Sequence, residues 1–160
     1  MNETKFESKG SQLTVTRIFN APLALVWRAW TEKELLDQWW APKPWKSETT
    51  HMDFNVGGYR YYSMVGPQGE RHFCRTDYLS ININQSFSGK DSFCDDTGNV
   101  NTDFPIAEFQ NQFEVSSDKT LVTVVTQYKS EEQLQQVIKM GMQEGLTMAY
   151  ENLDMLLVEL

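Results

Sequence analysis

The chain has 160 residues, with 22 acidic and 14 basic side chains and a net charge of -8. This length is typical of one compact domain, and the acidic balance, without a clustered basic stripe, excludes the usual nucleic-acid-binding classes because phosphates are repelled. Two cysteines are too few for a disulfide-stapled secreted scaffold.

The chain begins with polar residues, which predict an N-terminal tail over 1–10 and a single domain over 11–160. There is no apolar leader in the tail, and no later apolar run approaches the length of a membrane span. We therefore expect a cytoplasmic protein without membrane insertion.

The first elements predicted are a strand over 12–20 and two short helices within 20–41. The second helix ends before Pro42, because the residue preceding a proline disfavours helical backbone. An unusual density of tryptophan marks this stretch: Trp27, Trp30, Trp39, Trp40 and Trp45. Two interpretations stay open, an aromatic mouth over a ligand pocket and ordinary packing of helices on a sheet.

The middle of the chain is divided by turn residues into segments with two-residue alternation. The predicted strands cover residues 46–55, 58–65, 70–80, 85–94, 105–116 and 119–129. Because no helix separates them, the sheet should be antiparallel. A long helix is predicted over 130–160, where Ser130 followed by Gln133 has the spacing of a capping box. The expected fold is α+β of the helix-grip type, with a curved antiparallel sheet of about seven strands around the C-terminal helix and two short helices after the first strand.

Cys74 and Cys94 fall in neighbouring predicted strands, nearly opposite each other if 82–85 is the turn, with His72 on the same face. A histidine and two cysteines without a close C-x-x-C pair are a weak zinc signal. Buried cysteine is commonly a small hydrophobe. We expect no metal and no cofactor.

Three polar residues share a phase with apolar residues of their own strands: Arg60 with Tyr62 and Met64, Asp91 with Phe93, and Asn111 with Phe109. The three polar groups could therefore form one internal cluster. A buried guanidinium needs a partner, and we predict that Arg60 pairs with Asp91. The pair could grip a carboxylate or phosphate of a ligand, or it could be a satisfied internal ion pair.

Gly141 and Gly145 lie four residues apart in the predicted helix, although each glycine costs roughly 1 kcal/mol relative to alanine. Either the helix lies unusually close to the sheet, or the missing side chains leave room for a ligand. In the second case Met140 and Met148 would supply adaptable apolar walls.

Four segments carry a resemblance to a known family: NAPLALVWRAWTEKELLDQWWAPKPW, VGGYRYYSMVGPQG, DYLSI and EGLTMAYENLDMLL. In order and spacing they resemble proteins similar to the C-terminal domain of the activator of the ninety-kilodalton heat-shock chaperone ATPase. That family belongs to the START-like superfamily, which also contains the major birch-pollen allergen. The resemblance covers about residues 11–160 and implies a hydrophobic ligand cavity between sheet and long helix. Arg60 departs from it, since the family commonly has a large apolar residue there.

The expected function is binding of a small hydrophobic or amphipathic molecule in that cavity. The absence of a catalytic motif favours a binding protein over an enzyme. A cavity enzyme of cyclase or hydrolase type remains an alternative. So does an activator that contacts a chaperone ATPase, although the chain lacks the extra N-terminal domain of the eukaryotic activators. A homodimer is also left open. The predicted ligand-binding residues are Trp39, Trp40, Arg60, Tyr62, Met64, Asp91, Phe93, Phe109, Asn111, Met140, Gly141, Gly145 and Met148.

Overall fold

A computed structural model describes residues 3–160, which form one eight-stranded antiparallel sheet and four helices. The strands are β1 Lys5–Lys9, β2 Gln12–Phe19, β3 Lys46–Met52, β4 Tyr59–Val65, β5 Arg71–Asn82, β6 Ser86–Phe93, β7 Ala107–Ser116 and β8 Lys119–Gln127. The helices are α1 Leu23–Thr31, α2 Lys33–Trp39, α3 Glu131–Lys139 and α4 Met142–Glu159. The strand order is β1-β2-β8-β7-β6-β5-β4-β3, so β1 and β3 are the two edges. Within residues 3–160, no helix is long and apolar enough to cross a membrane.

Strand β1 corrects the prediction of a polar tail over 1–10 and raises the strand number from seven to eight. It pairs with β2 in antiparallel register, with Lys5 opposite Thr16, and the connecting turn places Gly10 at a φ of +61°. Its one inward apolar side chain, Phe6, packs against the core. A single apolar residue produces no visible alternation, which is why the segment resembles a tail in sequence. Residues 1 and 2 of the expected tail lie outside the described residues.

The helices α1 and α2 pack their tryptophans onto one end of the sheet's concave face. The Trp30 ring makes edge-on contacts with Phe19 of β2, Trp39 of α2 and Phe113 of β7, at centroid distances of 5.6, 4.7 and 5.4 Å. All of these rings are buried. At this end the tryptophan density is therefore explained by helix-on-sheet packing, one of the two interpretations that the sequence left open.

The single helix predicted over 130–160 is divided into α3 and α4. Its start is confirmed, because the Ser130 hydroxyl accepts a hydrogen bond from the Gln133 backbone N–H at 3.1 Å. The break falls at Gly141, whose φ of +92° lies in the left-handed region that ends many helices. Gly141 therefore turns the chain between two helices and does not lie inside one helix with Gly145.

Substitution of glycine by alanine should have opposite effects on stability at Gly141 and Gly145. Gly141→Ala should lower the free energy of unfolding by about 1 to 2 kcal/mol, because alanine is strained in left-handed backbone. Gly145→Ala should leave stability unchanged or raise it by up to about 1 kcal/mol, since alanine favours helix. An added Cβ at Gly145 would meet only the Pro42 Cγ, at an ordinary 3.7 Å. Urea unfolding of the two variants tests this, and equal destabilisation would contradict it.

Candidate functional site

A row of polar side chains crosses the concave face of the sheet. Arg60 of β4 lies opposite Thr76 of β5, and Thr76 lies opposite Asp91 of β6. We call these three residues the polar row. Arg60 and Thr76 are buried and Asp91 is partly buried. The sheet register therefore brings Arg60 and Asp91 onto one inward face, as their phase in the sequence indicates.

Arg60 does not pair with Asp91, so the predicted ion pair is wrong. Its Nη2 donates to Asp37 Oδ1 at 3.3 Å and to Ser47 Oγ at 2.8 Å, and its Nε donates to Thr49 Oγ1 at 3.1 Å. Strand β5 separates Arg60 from Asp91, which puts their backbones about 10 Å apart. The nearer carboxylate comes from α2, which packs beside β3.

Asp37 joins helix α2 to the edge strand β3. Its carboxylate accepts hydrogen bonds from Ser47 Oγ at 2.9 Å, the Thr49 backbone N–H at 3.0 Å and Thr49 Oγ1 at 2.7 Å. An edge strand otherwise leaves backbone donors without a neighbouring strand. The same carboxylate thus covers part of an edge and balances the buried charge of Arg60.

Asp91 carries the one carboxyl group of the polar row, and the pKa of this group is raised. Thr76 Oγ1 donates to Asp91 Oδ1 at 2.6 Å. Burial raises the pKa of Asp91 from 3.8 to about 6, and the Thr76 hydrogen bond and the Arg60 charge only partly oppose this rise. Among residues 3–160, no group donates a hydrogen bond to Asp91 Oδ2. The interior therefore contains a carboxyl group that titrates close to neutral pH and has a free oxygen.

Neutral tyrosines surround the polar row. The Arg60 guanidinium carbon lies 3.8 Å from the centre of the Tyr62 ring, and Trp40 Nε1 donates to the Tyr62 hydroxyl at 3.0 Å. Burial raises the pKa of Tyr62 well above its usual value and that of Tyr128 to about 12. Tyrosine hydroxyls near the row thus remain protonated at neutral pH and keep their capacity to donate.

The raised pKa of Asp91 predicts how stability changes with pH. In the folded state the carboxyl group binds its proton up to about pH 6, whereas in the unfolded chain it releases it near 3.8. Its contribution to stability is therefore fully present below pH 3.8 and is lost as the pH rises through about 6. Because Asp91 is partly exposed, we expect a loss of about 1 to 2 kcal/mol. The Asp91→Asn variant should lack this loss, and urea unfolding of both proteins at pH values from 4 to 8 measures the difference.

Asn111 does not belong to the polar row, which corrects the expected cluster of three. It lies on β7 opposite Phe87, whereas Asp91 lies opposite Ala107, four residues earlier on the same strand. That spacing is about 13 Å. Asn111 is buried, and its Oδ1 has no hydrogen-bond partner within residues 3–160. The concave face therefore has a second, separate polar position among aromatic residues.

The remaining predicted residues fall in different surroundings. Met64 and Phe93 are partly buried on the inward face beside the polar row, and Phe109 is buried. Trp39 belongs to the core, where its Nε1 donates to the Ala29 carbonyl oxygen at 2.9 Å. Met140 and Met148 are 53% and 42% exposed, so the expectation that they wall an internal cavity is wrong.

The two cysteines are one residue out of register. Cys74 of β5 pairs with Phe93 of β6, and Cys94, the next residue, pairs with Val100 beyond the end of β6. Because successive side chains of a strand point to opposite sides, Cys94 does not share the face of Cys74. Burial raises the pKa of the Cys74 thiol to about 12, which keeps it unreactive. Within residues 3–160, no group of three His, Cys, Asp or Glu side chains could hold a metal ion.

Apolar side chains of the C-terminal helices are less buried than those at the tryptophan end. Apolar side chains of α3 and α4 pack against the core but stay only partly buried: Val137, Ile138, Met142 and Leu146. Two open clefts are present elsewhere. One of about 620 Å³ lies on the exposed face of α3. The other, of about 560 Å³, lies where α2, the 41–47 segment and α4 meet; we call it the Trp45 cleft, lined by Asp37, Trp39, Lys43, Trp45, Lys46 and Asn152. Neither is an enclosed cavity between the sheet and α4.

Several residues of the site were missed in the sequence. Ser47 and Thr49 lie two residues apart on β3, on a strand face that would usually carry apolar residues. This pattern in the sequence could have indicated an internal polar site. Asp37 had no comparable signal, because its partners lie on other elements. Thr76 shares the phase of Tyr78, but a threonine in a strand is too common to attract attention.

A known protein family and several solved structures are similar to this chain over most of its length. The family described as "Activator of Hsp90 ATPase homolog 1-like protein" matches residues 20–158. The crystal structure of protein Ms6760 from Mycobacterium smegmatis is 32% identical, with 97% of this chain and 95% of that chain covered and a TM-score of 0.87. An NMR structure from Arthrobacter aurescens is 26% identical over 98% and 92% of the two chains, with a TM-score of 0.91. One from Staphylococcus epidermidis is 29% identical over 97% and 94%, with a TM-score of 0.85. No curated protein sequence matches.

Proposed function

The chain belongs to the family of Activator of Hsp90 ATPase homolog 1-like proteins, and from this premise we propose that it binds a small amphipathic molecule between the concave face of the sheet and helices α3 and α4. The observation that carries the proposal is the polar row of Arg60, Thr76 and Asp91 on an otherwise aromatic inward face. The polar group of the ligand lies on this row.

The polar row has capacity for one more hydrogen-bonding group. Among residues 3–160, none accepts a hydrogen bond from Arg60 Nη1 and none donates to Asp91 Oδ2. A ligand hydroxyl group can donate to Asp91 Oδ2, and a ligand oxygen atom can accept from Arg60 Nη1. Neither atom is among the buried side-chain atoms without a partner within residues 3–160, so both reach open space, where a polar group of a ligand can contact them.

The apolar body of the ligand would contact the apolar side chains that are only partly buried. Phe93 and Met64 border the polar row on the sheet, and Met142 and Leu146 of α4 pack against the core. All four are only partly buried, in contrast to the tryptophan end. Methionine adapts its shape to different apolar partners. A ligand that covers these side chains gains apolar burial without opening the packed tryptophan core.

Displacement of anilinonaphthalene sulfonate by decanol tests the proposal, with methoxydecane as a ligand that has no hydroxyl donor. The wild-type protein should prefer decanol. In the Thr76→Val/Asp91→Leu double variant, decanol affinity should fall about three- to tenfold, the value of one hydrogen bond, and the preference should vanish. Asp77→Asn is the matched control, since Asp77 pairs with Arg75 on the opposite face of the sheet.

Mass spectrometry of the native protein purified from its expression host supplies a second readout. A retained amphipathic molecule that is absent from the Thr76→Val/Asp91→Leu variant would support the proposal. If decanol and methoxydecane displace the dye equally from the wild-type protein, the polar row does not hold the ligand and the proposal fails.

Catalysis at the same interior site is the second candidate function, and the raised pKa of Asp91 favours it. A carboxyl group with a pKa of about 6 can exchange protons near neutral pH, as a general acid or base must. The two functions differ in outcome. A bound molecule recovered with unchanged mass after incubation indicates a binding protein, whereas conversion that stops in Asp91→Asn indicates catalysis.

Contact with a chaperone ATPase follows from the family description alone. We expect no stimulation of chaperone ATP turnover by this chain. Stimulation that scales with added protein and disappears on charge reversal of one surface patch would make activation the preferred function.

A further inference from the structure

The Trp45 cleft is a second concave site, and it adjoins the polar row, because its lining residues Asp37 and Ser47 hydrogen-bond Arg60. Its volume of about 560 Å³ lies within the range of small-molecule sites, roughly 300 to 1,000 Å³. Three separate parts of the chain build it: the end of α2, the 41–47 segment and α4. Convergence of three elements distinguishes it from the cleft on α3, which a single helix forms.

The charge of the Trp45 cleft is positive, in a chain with a net charge of -8. Asp37 is its one lining carboxylate, and Arg60 Nη2 lies 3.3 Å from the Asp37 Oδ1. Arg60 therefore balances that charge. Lys43 and Lys46 also line the cleft, and within residues 3–160 neither forms a salt bridge. Two ammonium groups without a carboxylate partner favour an anionic occupant.

The walls of the cleft favour a flat apolar ring. The Trp45 ring packs against the His72 imidazole, with centroids 5.2 Å apart and an interplanar angle of 30°, so the indole is supported from outside the cleft. Pro44 lines the cleft beside it. Offset stacking on a supported indole is a common way to bind aromatic groups.

Asn152 adds a buried polar group from α4. It is 8% exposed, and its Nδ2 is already used, because it donates to the Ala41 carbonyl oxygen at 3.1 Å. No group within residues 3–160 donates to its Oδ1. The orientation of the amide is thus fixed by Ala41, and the oxygen remains available to a donor.

We propose that the Trp45 cleft binds a small planar aromatic carboxylate, with the carboxylate held by Lys43 and Lys46 and the ring against Trp45. The proposal does not rest on the ligand proposed for the interior, although Asp37 both lines the cleft and bonds Arg60 of the polar row.

Titration with naphthoate, followed by NMR at the indole N–H of Trp45, tests the proposal. Naphthamide and naphthylmethylammonium are the neutral and cationic probes of the same shape. We expect naphthoate to shift the Trp45 signal and to bind more tightly than either probe. In Lys43→Glu/Lys46→Glu, naphthoate affinity should fall at least about tenfold, and added salt should weaken binding to the wild-type protein.

Lys9→Glu/Lys119→Glu is the control variant, because it changes the net charge equally at exposed positions outside the cleft. It should bind naphthoate as the wild-type protein does. Equal binding of the three probes, equal weakening in both double variants, no Trp45 shift at millimolar naphthoate, or a shift confined to the Trp40 indole would each overturn the proposal. Only the last of these outcomes would place the probe in the interior, beside Trp40 and Tyr62.

Discussion

Replacing Asp37 by alanine should lower the free energy of unfolding by about 3 kcal/mol. The substitution leaves the Arg60 guanidinium, whose side chain is 3% exposed, without its countercharge. Breaking a buried ion pair by removal of one partner costs about 3 to 5 kcal/mol. We take the lower limit because the Asp37 side chain is 28% exposed and water can partly replace it. The Thr49 backbone N–H on edge strand β3 also loses its acceptor.

Two further variants make the Asp37 prediction specific. Asp37→Leu/Arg60→Met should be far less destabilised than Asp37→Ala, since an apolar pair leaves no buried charge unbalanced. Glu32→Ala, which removes the exposed i,i+4 pair with Arg28, should change stability by less than about 0.5 kcal/mol. Urea unfolding measures all three. If the double variant is as unstable as Asp37→Ala, the loss does not come from the unbalanced Arg60.

Replacing Asp154 by alanine should also cost about 3 kcal/mol. Asp154 of α4 forms an ion pair with Arg17 of β2, whose side chain is 2% exposed. Among residues 3–160, the other hydrogen-bond partner of Arg17 is Thr4, whose hydroxyl accepts from Nη1 at 2.6 Å, and the Arg17 Nε has no partner. Without the carboxylate, the buried guanidinium would keep one neutral acceptor within this part of the chain.

The ion pair of Arg17 joins the C-terminal helix to the sheet, so its loss should be visible locally. In Asp154→Ala, the exchange rates of the α4 amide protons should rise above their wild-type values, and those of β7 should rise less. Arg17→Met/Asp154→Leu should recover most of the lost stability, and Glu151→Ala, an exposed change on the same helix, should stay within about 0.5 kcal/mol of the wild type. Unchanged stability of Asp154→Ala would show that water alone satisfies Arg17.

Much of the fold follows from local patterns in the sequence. Alternation predicted the inward faces of the strands, including the inward position of Arg60, because successive side chains of a strand point to opposite sides. The absence of helices between the central strands predicted an antiparallel sheet. Ser130 and Gln133 marked a helix start, since a capping box needs only four neighbouring residues.

The sequence by itself thus determined the strands, their inward faces and the placement of Arg60 and Asp91 on one side of the sheet. Only the tertiary structure decided their partners: Asp37 for Arg60 and Thr76 for Asp91. Periodicity fixes which way a side chain points, but not which element packs against it. Asp37 lies 23 positions before Arg60 on a helix whose position depends on core packing. The break at Gly141 is likewise a tertiary result, because a glycine accepts helical and left-handed backbone alike and packing of α3 and α4 selects between them.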